Sequence, residues 1–249
     1  MRGGDRGRRR GRGGLTAEQS VGFEVAGDVP WAASGPLAAG LASCPAAGGA
    51  PWKRPLDVLL AAIGLILAAP IIIVAATLVS LDGGPPFYAQ CRLGLDGRRF
   101  TLFKLRTMCV ASEAALDEIL RCDPRAREEF GRSGKIARDA RVSRVGRWRR
   151  RHSLDELPQL LNVLIGDMSI VGPRPRTLRW LSLAASGTPQ FQVYFAIRPG
   201  ITGTWQVSDR PHRNDATRVL LDADYVANIS PWRDAGIMAR TIPLLFSGR

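Results

Sequence analysis

Asp155 and Glu156 stand side by side in the stretch Ser153 to Pro175, SLDELPQLLNVLIGDMSIVGPRP, which closes on an arginine held between two prolines, Arg174. An ionised Asp can attack phosphorus to form an aspartyl phosphate. A neighbouring Glu can hold Mg²⁺, a cation that neutralises phosphate oxygens. Prolines on both sides fix the backbone around Arg174, which suits a preorganised bidentate clamp on phosphate. The acids also have a purely structural explanation, because Ser153 and Glu156 have the spacing of a capping box. Leu157, Leu160, Leu161 and Leu164 recur at i, i+3, i+4 and i+7 and predict a helix with one buried face that stops at Gly166. Pro158 leaves two registers open: a helix begun at Ser153 loses a hydrogen bond there, whereas one begun at Pro158 leaves both acids just ahead of it. Either register puts the carboxylates at a helix N-terminus, where they stay ionised and where phosphate is favoured.

Other cations could serve the same chemistry. Lys104 and Arg106 alternate onto one face of a strand, as an anion-binding pair or as an ordinary solvated face. Arg198, in the glycine-punctuated RPGITGTWQ, could meet a second phosphate or a nucleotide. The run Arg141, Arg144, Arg147, Arg149, Arg150 and Arg151 is either solvated or in contact with anionic headgroups, at about 1 kcal/mol per basic residue. Nucleic acid is disfavoured as a partner, since the run does not build the stacking platforms of single-strand binders.

Certain elements must position these residues. From Leu56 to Leu81 the chain is almost continuously apolar, long enough to span a bilayer, with Pro70 near its middle. A kinked spanning helix and a broken helix that dips into one leaflet and returns both fit. Lys53 and Arg54 at its entry would snorkel to phosphate headgroups on the cytoplasmic side. Next, PFYAQCRLGLDGRRFTLFKLRTM alternates around Asp96-Gly97 and predicts a β-hairpin. Helices are expected over Ala111 to Cys122, Asp215 to Asn228 and Pro231 to Phe246. Trp180, Phe191, Tyr194 and Phe195 suit a headgroup boundary and core packing equally well.

Composition sets the frame. The 249 residues allow one good core, and a formal charge of +13 draws anions of any kind. Four cysteines without a CxxC pair and only two histidines argue against a zinc site or disulfide framework and fit a reducing cytosol. Three regions follow: a basic tail and Ala/Gly/Pro linker over 1–52, a membrane segment over 53–83, and a catalytic domain over 84–249. The tail cannot bury a core and is expected to be disordered.

Taken in order, Lys53-Arg54 with Asp57 just inside, the Pro70-interrupted apolar segment, KLRTM, SLDELPQLLNVLIGDMSIVGPRP and RPGITGTWQV resemble the bacterial sugar transferase family, in its short form. The resemblance runs from about Lys53 to the C-terminus. It departs in Leu105, where Phe is usual, and in Ala69, where a serine often precedes the proline. It implies an α+β, predominantly helical fold: a re-entrant membrane helix-break-helix, a small catalytic domain with a β-hairpin, and amphipathic surface helices. It implies transfer of a phosphosugar from a UDP-sugar to polyprenol (undecaprenyl) phosphate with release of UMP, the first membrane step of exopolysaccharide or glycoconjugate synthesis. By the same resemblance Asp155 is the nucleophile that carries the phosphosugar, Glu156 holds Mg²⁺, and Arg174 and Arg198 lie near substrate phosphates. Lys104 and Arg106 extend that role. The expected place is the bacterial inner membrane, catalytic domain on the cytoplasmic face, in contact with anionic lipids, with homo-oligomerisation left open and no nucleic acid. A competing expectation is a non-catalytic scaffold on anionic membranes, which has no use for the acid pair.

Overall fold

The computed structural model describes residues 50–81, 84–108, 112–133, 136, 139, 141, 142, 144–176, 193–208 and 215–247. Residues 1–49, with most of the basic tail and linker, lie outside them, as do Trp180 and Phe191.

The fold combines helices with two small sheets. Helix α1 runs over Lys53–Ser80. Strands β1 (Phe87–Leu93) and β2 (Arg99–Leu105) pair antiparallel, with Tyr88 across from Lys104 and Arg92 across from Phe100. They are joined by a turn in which Asp96 and Gly97 both take positive φ, the conformation that makes Asp-Gly a turn dipeptide. Then come α2 (Ser112–Cys122), α3 (Pro124–Ser133), α4 (Arg144–Arg151), a 3₁₀ turn (Leu154–Glu156) and α5 (Gln159–Ile165). Strand β3 (Ser169–Val171) lies parallel to β4 (Gly200–Thr202), with the short α6 (Val193–Ala196) between them in sequence. Helices α7 (Asp215–Ala227) and α8 (Pro231–Ser247) complete the chain.

Helix α1 has 28 residues, about 42 Å at 1.5 Å per residue, more than a hydrocarbon core of ~30 Å. By length and composition it could cross a membrane. Its outer face is bare: Ile66 and Leu67 are 74% and 70% exposed, and Ile73 and Val74 are similarly open. Pro70 belongs to this exposed face, and the helical conformation continues through it. The bond it removes is the one to the Ile66 carbonyl.

The opposite stripe of α1 is small and buried, with Ala61, Ala68, Ala75 and Val79 covered. Ala61 packs with Phe100, Leu102, Val163 and Met168, a core shared by α1, β2 and α5. A Cβ on Gly64 would sit 3.4 Å from Leu160, so the small residues let α5 lie close. Both ends of α1 are tied to the elements that follow it. At the N-terminus Arg54 donates to the carbonyls of Val163 (2.6 Å) and Leu164 (3.0 Å), and the Asp57 carboxylate accepts from the Ile170 N–H at 2.9 Å. At the C-terminus Arg106 donates to the Val79 carbonyl at 2.9 Å.

A second core gathers Val171, Ala196, Ile197, Tyr225, Val226 and Ile237 beneath α7 and α8. Strand β3 therefore stands between the two cores, and Arg174 follows directly from it. Glycine makes the close approach of β3 to β4 feasible: a Cβ on Gly200 would lie 2.1 Å from the Gly172 amide nitrogen, and one on Gly203 2.2 Å from the Gly172 carbonyl oxygen. The glycines of VGPRP and RPGITG are thus two halves of one backbone contact.

Candidate active site

The two acids lie on the 3₁₀ turn that links α4 to α5. Ser153 adopts a left-handed conformation (φ 54°) and makes no side-chain cap, so the capping box does not form. Its amide instead donates to the Arg150 carbonyl at 3.2 Å, closing the end of α4. Helix α5 begins after Pro158, where the missing N–H costs nothing, and ends at Gly166 (φ 110°). This settles the register: Asp155 and Glu156 precede α5, whose seven residues begin at Gln159.

Glu156 is the electrostatic centre. Arg174 grips it with both terminal nitrogens, Nη1 to Oε2 at 3.3 Å and Nη2 to Oε1. Lys104 reaches Oε1 at 3.1 Å. Burial would push the Glu156 carboxyl up, but the Arg174 and Lys104 charges outweigh it and hold the group down at about 2. The pairing in turn raises Arg174 above its ordinary value.

Asp155 is treated differently. It is 8% exposed, and burial raises its carboxyl above the usual range, with Lys104 opposing and Glu156 reinforcing the shift. Neighbouring carboxyls are thus driven apart, one firmly ionised and the other poorly solvated, an arrangement typical of reacting groups.

Asn162 holds this geometry in place. Fully buried on α5, it accepts from the Phe103 N–H at 3.0 Å and donates to the Thr101 carbonyl at 2.6 Å. These bonds clamp β2 to α5 on either side of Leu102, which fixes where Lys104 emerges. Arg150 is placed similarly, its Nε donating to Thr107 Oγ1 at 2.7 Å.

A cavity of about 760 Å³ opens against the site. Its lining includes charged residues, Arg150, Glu156, Arg174 and Arg218, and apolar ones, among them Leu157, Leu160, Ile170, Ile201, Met238 and Ile242. Asp155 and Lys104 are not among the lining residues. Lys104 bonds the Glu156 carboxylate that lines the cavity, and Asp155 is the residue next to Glu156 in the chain.

Four expected site residues are therefore gathered: Asp155, Glu156, Lys104 and Arg174. The others sit elsewhere. Arg106 holds the end of α1, as described above. Arg198 donates from Nε to the Gly166 carbonyl at 2.8 Å, capping the C-terminus of α5. Lys53 is buried and paired with Asp234 instead of facing headgroups, and Arg54 caps α5 beside Arg198. Tyr225 joins the Lys53–Asp234 pair, donating to Asp234 Oδ1 at 2.7 Å, so the entry of α1 is locked to α7 and α8. Burial, then the Asp234 charge, drives the Tyr225 hydroxyl far above its ordinary value. Sequence reasoning missed Asn162 and Asp234; Asn162 alone left a trace, a polar residue inside the leucine stripe.

The donor set suits a hard cation in one respect. Glu156 offers carboxylate oxygens at the cavity wall, and Mg²⁺ is commonly held by one or two carboxylates together with substrate phosphates. Among the described residues no group of three or more His, Cys, Asp or Glu could hold a metal by itself, so such an ion would complete its shell from substrate and water.

Residues 49–248 match the family profile described as bacterial sugar transferase. The UDP-galactose-lipid carrier transferase of Erwinia amylovora is 44% identical over 190 residues, 76% of this chain and 39% of that protein. The exopolysaccharide production protein ExoY of Rhizobium meliloti is 42% identical over 198 residues, 79% of this chain and 86% of that protein. The UDP-glucose:undecaprenyl-phosphate glucose-1-phosphate transferase of Caulobacter vibrioides is 39% identical over 202 residues, 78% and 70% of the two. The chain thus spans about two fifths of the first relative's length and most of the other two.

Proposed function

The chain belongs to the bacterial sugar transferase family, and on that premise we propose that it transfers a phosphosugar from a UDP-sugar to polyprenol phosphate and releases UMP. Relatives whose names specify UDP-galactose, UDP-glucose and undecaprenyl phosphate support this substrate class. The observation that carries the reading is the split between the two acids. Glu156 is pinned by Arg174 and Lys104, which leaves Asp155, adjacent and poorly solvated, as the carboxylate available to react.

The reaction runs in two displacements. An Asp155 oxygen attacks the phosphorus that bears the sugar; the O–P bond forms as the bond to the bridging oxygen breaks, and UMP departs with that oxygen. A phosphate oxygen of polyprenol phosphate then attacks the same phosphorus, the aspartyl–phosphorus bond breaks, and Asp155 returns as carboxylate. Lys104 favours the ionised Asp155 needed at the outset. Arg174 is placed to follow charge as it develops on phosphate oxygens. Mg²⁺ held by Glu156 and the substrate diphosphate would supply further neutralisation of phosphate charge.

Polyprenol phosphate needs both charged and greasy contacts, and the cavity lining offers both. Membrane attachment through α1 brings the site to the lipid. Since both ends of α1 are hydrogen-bonded to the same body, a re-entrant course with both ends on the cytoplasmic face of the inner membrane fits better than a span. Release of UMP from UDP-sugars in membranes supplied with polyprenol phosphate and Mg²⁺ tests the assignment. Wild-type chain should release UMP and trap label from a UDP-sugar labelled at its β-phosphate, and Asp155→Asn should do neither. Normal turnover by Asp155→Asn would refute the nucleophile, and absence of UMP with every UDP-sugar would refute the activity.

A further inference from the structure

Arg92 has no part in the site described so far. On β1, Tyr88 lies directly across from Lys104. Cross-strand partners share a sheet face and every second residue returns to it, so Tyr88, Gln90 and Arg92 stand on the face that carries Lys104. The next residue, Leu93, donates its N–H to the Arg176 carbonyl at 3.2 Å, which lays the segment after Arg174 against the end of β1. Arg92 thus shares the sheet face of Lys104 and lies within electrostatic reach of both Arg174 and Glu156.

Its own bonding is incomplete. Nη2 donates to Gln90 Oε1 at 2.6 Å, a neutral amide, and the buried Nε has no hydrogen-bond partner. A buried donor left unsatisfied is costly, and a guanidinium is built to satisfy several acceptor oxygens at once. The electrostatics agree: burial, joined by the Arg174 and Arg176 charges and opposed by Tyr88 and Glu156, brings Arg92 down to about 10. Lys104 and Arg174 bond the ionised Glu156 and Arg92 feels its charge, a positive surplus beside Asp155.

We propose that Arg92 is a phosphate-binding residue of this site, forming with Lys104 and Arg174 a receptor for a diphosphate, in which Glu156 is the counter-ion that bound phosphate displaces. The proposal rests on the UDP-sugar reading and assigns that substrate's diphosphate to named side chains. Bidentate arginines at two points and a lysine between them match an anion whose oxygens are distributed over two phosphorus atoms.

UDP serves as the probe, titrated by calorimetry into the detergent-solubilised full chain at several salt concentrations. Arg92→Met should weaken UDP by roughly 10- to 100-fold, the range of a charge-assisted hydrogen bond, flatten its salt dependence, and raise KM for the UDP-sugar far more than it lowers kcat. Arg92→Lys keeps charge without the fork and should fall between the two, giving the answer if the Met variant fails to fold. Without Mg²⁺, Glu156→Gln should tighten UDP binding several-fold, because the competing carboxylate is gone. UDP affinity unchanged in both Arg92 variants would overturn the assignment, and weaker binding by Glu156→Gln would overturn the counter-ion role. A wild-type chain that binds UDP in an Arg92-dependent way yet releases no UMP would sink the transferase reading and leave the phosphate receptor standing. Active wild type with an indifferent Arg92 would do the reverse.

Discussion

Arg174 and Glu156 are joined at both ends, guanidinium to carboxylate, with Nη1 and Oε2 3.3 Å apart. Lys104 adds a third donor to the same carboxylate. Such a group is hard to dismantle one piece at a time, because removing a single charge strands the others in a poorly solvated place.

Glu156→Gln should therefore destabilise the protein by about 3 kcal/mol at neutral pH. The pH dependence follows from the sign of the shift. Folding holds the Glu156 carboxyl down at about 2, so its stabilisation is present above the unfolded value and is lost as pH falls toward about 2. Chemical denaturation across a pH series should show the wild-type advantage over Glu156→Gln shrinking below about pH 4.5. A constant difference down to pH 3 would contradict an ionic origin.

Asp155→Asn should behave in the opposite way. Burial raises the Asp155 carboxyl, so the folded state holds that proton more tightly than the unfolded state and stability declines as pH rises through the interval between the two values. At pH 7 the ionised side chain is a liability that Asn removes. The variant should melt at or above the wild-type temperature at pH 7, with the gap closing in acid, while UMP release is abolished. Clear destabilisation at pH 7 would show that the ionised Asp155 stabilises the fold, contrary to the burial cost.

The acid pair, Arg174 and the leucine stripe were legible as residue types at fixed spacing, and the turn at Asp96-Gly97 likewise. What sequence could not convey was which cations would meet. Arg106 and Arg198 look as suitable for phosphate as Lys104 and Arg174, but their alternatives are carbonyls at helix ends: Val79 for Arg106 and Gly166 for Arg198. A helix C-terminus presents unsatisfied carbonyls, and whether a distant arginine fills them depends on packing 27 or 32 residues away in sequence. Lys53 was misleading for the same reason. Its partner Asp234 is 181 residues distant, so the local pattern showed only a basic residue at the mouth of an apolar helix. The capping box failed on backbone conformation, since a left-handed Ser153 ends α4 and cannot also begin α5.

Asn162 offers a test of how β2 is held to the site. Asn162→Ala would leave the Phe103 N–H and the Thr101 carbonyl, both on half-buried residues, without this partner. The expected cost is on the order of 1–3 kcal/mol. Because those bonds set the position of Lys104, kcat should fall by more than KM changes in the fraction that remains folded. Full activity with full stability would mean that β2 keeps its place through the Phe100 and Leu102 packing alone.

The Lys53–Asp234 pair decides whether the entry of α1 is read by lipid or by protein. A headgroup-facing lysine could be exchanged for Met at little cost to folding, and its loss would weaken membrane attachment. A buried one behaves differently: Lys53→Met should cost about 3–5 kcal/mol because Asp234 and the Tyr225 hydroxyl bonded to it are left with an unpaired charge. Combining Lys53→Met with Asp234→Leu removes both charges and should recover much of that loss. Flotation with anionic vesicles should find the double variant bound like wild type, since the exposed Ile66, Leu67 and Ile73 remain to enter the bilayer. Additive destabilisation by the two changes, together with weakened flotation, would return Lys53 to the membrane surface.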